Sequence, residues 1–191
     1  GSSSLTFNYE VAQSHSSDDL DYLTSSSLVL NSGSILDLAG NPAVLTLAEP
    51  GADNSLGDNK DIVIDTALPA AISVTSTIAD GTYKVGQSIG ITVTFNEAVT
   101  VNGTPQLTLE TGSSDAVANY AGGSGTTILT FNYTVAEGHS SSDLDCAGTD
   151  ALALNSGTIN NAVGNAATLT LPGAGQANSL AISKAIVIDG I

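Results

Sequence analysis

Two short segments of the chain bring together the residue types of a Ser–His–Asp hydrolase. His15 precedes two serines and Asp18, and His139 precedes three serines and Asp143. A working triad needs a histidine oriented by a buried acid, and an oxyanion hole beside the serine. Here the three residue types are neighbours in one polar segment, which is typical of a structural loop. We therefore expect neither segment to be catalytic.

Paired carboxylates could support a second kind of chemistry. Asp143 and Asp145 could in principle act as an acid–base pair on a glycan. The chain has few aromatic residues to stack on a sugar, and no feature of the sequence marks a cleft. We predict no catalytic residue and no enzyme activity.

Calcium binding is a third chemistry that the acidic residues could support. A calcium ion needs carboxylate and carbonyl oxygens that converge at about 2.3–2.6 Å. The candidate ligands are Asp65, Asp80, Glu97, Asp37 and Asp189. Neither a DxDxDG loop nor a GGxGxD nonapeptide is present, and aspartates are also common turn formers that bind their own backbone. Bound calcium and solvated turn aspartates therefore stay as alternatives.

Charge and composition exclude several classes of partner. The chain has 191 residues, 19 of them acidic and three of them lysine, with a net charge of −16. Nucleic acids and anionic membrane surfaces require basic patches, so neither is an expected partner. No apolar stretch is long enough to insert into a membrane. A single cysteine, Cys146, cannot form a disulfide within the chain.

The chain repeats itself with a constant offset of 124 residues. LTFNYEVAQSHSSDDLD returns as LTFNYTVAEGHSSSDLD, so that His15 matches His139, and the match continues without insertion to Asp65 and Asp189. We predict two domains: residues 1–66 are the C-terminal half of one repeat, and residues 67–191 are one complete repeat. Asp37 matches Asn161, so a calcium site at that position should be weaker in the second repeat.

The complete repeat has the alternating pattern of short β-strands. Strands are expected at 72–76, 88–95 with a continuation at 99–101, 106–110, 116–121, 127–135, 152–154, 168–171 and 185–188. Asn102-Gly103 is a hairpin signal, and the odd-numbered residues from Leu129 to Val135 should face a core. The predicted fold class is all-β, an immunoglobulin-like antiparallel β-sandwich in tandem repeats.

The half repeat contains only the later strands, expected at 5–11, 28–30, 44–47 and 61–64. Alone, these strands would expose an apolar face and open edges. The missing strands could lie upstream in a longer protein or come from a neighbouring chain. The half could also pack in a non-native way.

At the repeat boundary the chain resembles a known family. AIVIDTxxP, then ADGTYKVGQSIGITVTFNEAVTVNGTPQLTLETG and LTFNYTVAEG, is similar to the bacterial Ig-like tandem repeats of giant cell-surface and RTX-type adhesins. It also resembles repeats of a cyanobacterial surface protein linked to swimming motility. The resemblance covers 62–189 and implies an extracellular, cell-surface location. It also implies a stalk, spacer or adhesive role, with calcium as the cofactor at domain junctions.

Two alternatives to a stalk remain open. The chain could be a subunit of a self-assembling filament, in which like chains complete one another. It could also be an adhesin module that binds a surface glycan or protein through the loops that differ between the repeats, 22–27 and 146–151. In each case neighbouring repeats or like chains are the expected partners.

Overall fold

The chain divides into two compact units, Gly1–Ala67 and Leu68–Ile191, in a computed structural model that describes residues 2–191. The predicted boundary after residue 66 lies one residue before this division. We call the first the half unit and the second the complete unit. Within the complete unit, residues 68–124 are the front half and residues 125–191 are the back half, because residue 125 aligns with residue 1.

The secondary structure is almost entirely strand and turn. In the half unit the elements are β1 (Ser16–Ser17), α1 (Leu56–Asn59) and β2 (Ile64–Asp65). In the complete unit they are β3 (Ala71–Ser76), β4 (Gly81–Lys84), β5 (Ser88–Asn102), β6 (Gln106–Leu109), β7 (Ala116–Gly122), β8 (Thr126–Thr134), β9 (Ser140–Ser141), β10 (Leu152–Ala153), β11 (Thr158–Asn160), α2 (Leu180–Ser183) and β12 (Ile186–Asp189). Neither helix in the described part of the chain has the length or apolar content to cross a membrane.

The complete unit is built on one large antiparallel sheet. Its strands follow the order β10-β6-β7-β8-β5-β11, and β3 also pairs with β5. A second sheet has the order β4-β12-β9, in which β12 runs parallel to β4 and antiparallel to β9. The predicted all-β class and its antiparallel, sandwich-like architecture are confirmed.

Strand β8 lies in the middle of the large sheet and supplies much of the core. Its side chains alternate between the two faces of the sheet because the strand repeat is two residues. Leu129, Phe131 and Tyr133 are buried, and Val135 just beyond the strand is buried with them, whereas Ile128 is 46% exposed. The face predicted for the core is therefore the one that is buried.

The predicted hairpin at Asn102-Gly103 is wrong. The chain does turn there, and Gly103 has a φ of 86°, but β5 and β6 are not neighbours in the sheet. The end of β5 pairs with β11, while β6 crosses to lie between β7 and β10. A turn signal fixes the local reversal of the chain, but the partner of each strand is fixed by its burial within the whole sandwich.

The strand predicted at 168–171 is reduced to one isolated parallel bridge between Ala70 and Thr168. The Thr168 amide donates to the carbonyl of Pro69 at 2.7 Å. The Ala71 amide returns a longer bond to the Thr168 carbonyl at 3.4 Å. Pro69 has no N–H with which to extend the ladder further. Leu171 is nevertheless buried in the core.

Most strands predicted for the half unit do not form. Residues 5–11, 28–30 and 44–47 have no strand assignment, and β2 is a two-residue remnant of the segment predicted at 61–64. The counterparts of 5–11 in the complete unit hydrogen-bond to β5 and β7, which belong to the front half. Without a front half, an apolar alternating segment has no ladder to join.

Matched truncations should separate the two units. Leu129→Ala removes a fully buried side chain and should lower the free energy of unfolding of the complete unit by about 2–5 kcal/mol. Leu5→Ala acts at the equivalent position, where the side chain is 60% exposed, and should change stability by less than about 0.5 kcal/mol. Urea denaturation of each variant measures the difference, and equal losses would show that the Leu5 side chain is buried.

Candidate functional site

Each histidine segment closes on a tyrosine. The Tyr133 hydroxyl lies 2.9 Å from Nδ1 of His139, the Ala136 amide donates to the same nitrogen at 3.3 Å, and the two rings stack with centroids 5.7 Å apart. Because a backbone N–H can only donate, Nδ1 acts as an acceptor and the ring proton lies on Nε2. We call this arrangement the tyrosine–histidine clasp. Burial raises the pKa of Tyr133 to about 12, so its hydroxyl stays protonated as a donor.

The same clasp recurs in the half unit. The Tyr9 hydroxyl lies 2.6 Å from Nδ1 of His15, the Ala12 amide donates to that nitrogen at 3.1 Å, and the ring centroids are 5.6 Å apart. In both units the histidine therefore accepts from a tyrosine and from its own loop. This is the arrangement of a structural loop, in which Nδ1 of the presumed base is already occupied.

Asp145 holds a loop in place through its backbone amides. The carboxylate is buried, with one oxygen accepting from the amides of Cys146 at 2.8 Å and Leu180 at 3.2 Å, and the other accepting from Gly175 at 2.9 Å. Leu180 begins α2, so the carboxylate also satisfies a free amide at the start of that helix. Asp143 is exposed. The two residues suggested as an acid–base pair thus lie in different environments.

Asp21 repeats the role of Asp145 in the half unit. Its carboxylate accepts from the amides of Tyr22 at 2.8 Å and Gly51 at 3.0 Å. Desolvation acts to raise the pKa of Asp21, but hydrogen bonds from Gly51, Tyr22 and the Ser55 hydroxyl outweigh it and lower the pKa. A carboxylate that accepts several N–H bonds is stabilised in its charged form. We call each such arrangement the aspartate clip.

Asp37, a predicted calcium ligand, binds its own loop. Its carboxylate accepts from the amides of Ala39 and Asn41 at 2.9 and 2.8 Å and from the Asn41 side chain at 2.9 Å. Hydrogen bonds from the side chain and amide of Asn41, only partly opposed by desolvation, lower the pKa of Asp37. The residue behaves as a turn former.

The counterpart loop in the complete unit brings another predicted ligand close. Asn161 accepts from the Asn165 amide at 2.9 Å, and its side-chain amide donates to a carboxylate oxygen of Glu97 at 3.3 Å. Glu97 therefore lies beside the position that carries an aspartate, Asp37, in the half unit. With asparagine there, a hydrogen bond joins the two side chains.

The remaining predicted ligands lie at the ends of strands and turns. Asp65 accepts from the Ala67 amide at 2.9 Å, and Asp80 accepts from the Ala185 amide at 3.3 Å. Asp189 is exposed at the end of β12, opposite Lys84 and Ser140 in the ladder. Within residues 2–191 no three His, Cys, Asp or Glu side chains are grouped so as to hold a metal ion.

Sequence reasoning missed the aspartate clip and the tyrosine partner of each histidine. Both signals were present in the repeat: Tyr9, His15 and Asp21 recur as Tyr133, His139 and Asp145 with the same spacing. A polar residue that recurs at the same position in both copies can hydrogen-bond to the backbone of its own loop, so its recurrence alone does not indicate a ligand site.

No protein-family model matches the chain, and no curated protein or solved structure is significantly similar to it. The two copies within the chain therefore supply the useful comparison. They share the clasp and the clip, and they differ in the exposure of the apolar side chains around them.

Asparagine at position 145 tests the clip. Asp145→Asn places an amide group where a carboxylate oxygen accepts backbone N–H bonds, and should lower the free energy of unfolding by about 1–3 kcal/mol. Asp143→Asn is the matched control at an exposed carboxylate, with an expected change below about 0.5 kcal/mol. Chemical denaturation measures both, and an unchanged stability in the Asp145 variant would rule out a structural role for the clip.

Alkaline pH should destabilise the complete unit through Cys146. Burial, reinforced by the charge of Asp145, raises the pKa of this thiol from 9.0 to about 12. A raised folded-state pKa gives stability that is intact below the unfolded value and is lost as pH rises towards the folded one. By pH 10 the loss should reach about 1.4 kcal/mol.

Cys146→Ala provides the control, because it should lack the loss that sets in near pH 9. Its stability should begin to fall only above pH 10, where Tyr133 contributes in the same sense. Urea midpoints measured from pH 7 to 11 test this, and identical pH profiles for the two proteins would contradict the assignment to Cys146.

Proposed function

We propose that the chain belongs to a structural array of immunoglobulin-like repeats on a bacterial cell surface, in which each complete repeat serves as a stalk or spacer domain. One observation carries the proposal. The side chains with the chemistry of a site, His139 and Asp145, bind the backbone of their own repeat, and their counterparts His15 and Asp21 do the same. Repeated polar residues that stabilise loops favour a scaffold over a catalytic centre.

The core of the complete unit also supports a spacer role. Its buried apolar cluster draws on both the front half and the back half, from Val74 to Ile188. A unit that buries its own core can be repeated along a chain without depending on distant partners. The resemblance to bacterial surface repeats points in the same direction.

Charge suits an extended array. With a net charge of −16, successive units repel one another, which keeps such a protein soluble and disfavours collapse. At the boundary, Pro69 restrains Leu68 to extended conformations, as in a short and stiff connection.

Calcium is the ion that we assign to the excess carboxylates in such an array. The supporting observation is the pair formed by Glu97 and position 161. This position holds asparagine in the complete unit and aspartate, as Asp37, in the half unit. A repeat with both acids would place two carboxylates side by side, an arrangement that a cation stabilises.

Lengthened chains test the spacer proposal. When further copies of residues 66–189 are appended, each copy should unfold at the same denaturant midpoint, and the maximum dimension from small-angle X-ray scattering should grow by an equal increment. The same samples are melted with calcium and after chelation. A compact particle whose maximum dimension does not grow with copy number would refute the spacer role. A melting temperature that is the same with calcium and after chelation would refute only the assignment of calcium.

A further inference from the structure

The half unit exposes an apolar face that is the core in the complete unit. Its alternating side chains are largely open to solvent: Leu5 at 60%, Phe7 at 73%, Tyr9 at 53% and Val11 at 53%. Their counterparts are at most 1% exposed: Leu129, Phe131, Tyr133 and Val135. The residue type is the same at all four pairs of positions, so the side chains themselves do not explain the difference in burial. What differs is the covering.

A groove of about 360 Å³ lies on this face of the half unit. It is lined by Phe7, Tyr22, Ser27, Leu28, Leu47 and Leu56. The counterparts of all six belong to the buried core of the complete unit: Phe131, Cys146, Ala151, Leu152, Leu171 and Leu180. The groove is therefore the back-half side of a sandwich core. We call it, together with the 5–11 segment, the open core face.

The complete unit shows what covers such a face. Phe131 pairs with Ile91 of β5 on one side and with Tyr120 of β7 on the other. Both strands belong to the front half, which also places Val93 and Leu107 in the shared core. A front half therefore supplies both the ladder hydrogen bonds and the apolar side chains that the half unit lacks.

We propose that the open core face is a docking surface for the front half of another repeat, a polypeptide with the pattern of residues 68–124. The proposal rests on the array function above, and it names the partner of the half unit. In the complete unit the front half joins the back half through a tight turn between β7 and β8, since Gly123 and Gly125 have φ of 104° and 83° and a Cβ on Gly123 would collide with the carbonyl of Ile128.

A second copy of these 191 residues is a poor candidate for the partner. Each copy has two back halves and one front half, and that front half is already paired with its own back half through β5 and β8. If a copy lent its front half to a neighbour, its own Leu129 and Phe131 would become exposed. Exchange between copies thus buries no additional apolar area.

The test adds the missing half. A copy of residues 68–124 is fused directly ahead of residue 1, and amide hydrogen exchange is followed by mass spectrometry in segments 5–11 and 129–135. Fusion should slow exchange in segment 5–11 by at least about 100-fold, towards the rate of segment 129–135. Two variants of the added copy serve as a pair. Ile91→Asp in the added copy should abolish the protection, and Val117→Asp, at a position that is 46% exposed, should keep it.

Two results would overturn the proposal. One is rapid exchange in segment 5–11 of the fusion while segment 129–135 remains protected. The other is a concentration-dependent dimer of the unextended chain in which segment 5–11 is already protected, because the occupant would then be a second copy. Small-angle X-ray scattering of the fusion tests the array function separately. If segment 5–11 is protected but the maximum dimension of the fusion does not exceed that of the unextended chain, the result would support docking and contradict the spacer role.

Discussion

The pairing of the two halves of a repeat is the interaction on which this structure depends. Strand β8 carries Leu129, Phe131 and Tyr133 on one face, and it is held between β5 and β7. Where those strands are present, the face is buried and the sheet forms. Where they are absent, the same sequence pattern stays open to solvent and has no strand assignment. The sandwich is therefore a property of two halves together, because neither a ladder nor a core can be completed by one.

The polar contacts follow a different rule. The tyrosine–histidine clasp spans six residues, and the aspartate clip reaches 30 residues, from Asp145 to Gly175 or from Asp21 to Gly51. All of these partners lie within one back half. Both contacts therefore form in the half unit as well as in the complete unit. The loops form from contacts within one back half. The strands of a back half, by contrast, form only where a front half pairs with them.

This division explains which features could be predicted from sequence. The alternating pattern at 127–135 predicted both the strand and its buried face correctly. Burial of one face of a strand requires apolar residues at every second position, and this alternation is visible in the sequence. The Asn102-Gly103 signal gave a turn but the wrong neighbour for β6, since strand order depends on contacts far away in the chain. Polar residues were the least predictable. Asp145 and Asp37 both bind backbone amides, and an isolated carboxylate in a sequence does not reveal whether amides or an ion will surround it.

Native-state hydrogen exchange of the unmodified chain tests the central claim most directly. The amides of Phe7 and Phe131 occupy equivalent positions in the two units, and they differ in whether a front half covers them. We predict that the Phe131 amide exchanges only through unfolding of the complete unit, while the Phe7 amide exchanges at close to the rate of an unprotected peptide. Equal and strong protection at both positions would contradict the account, because it would show that a back half folds without its front half.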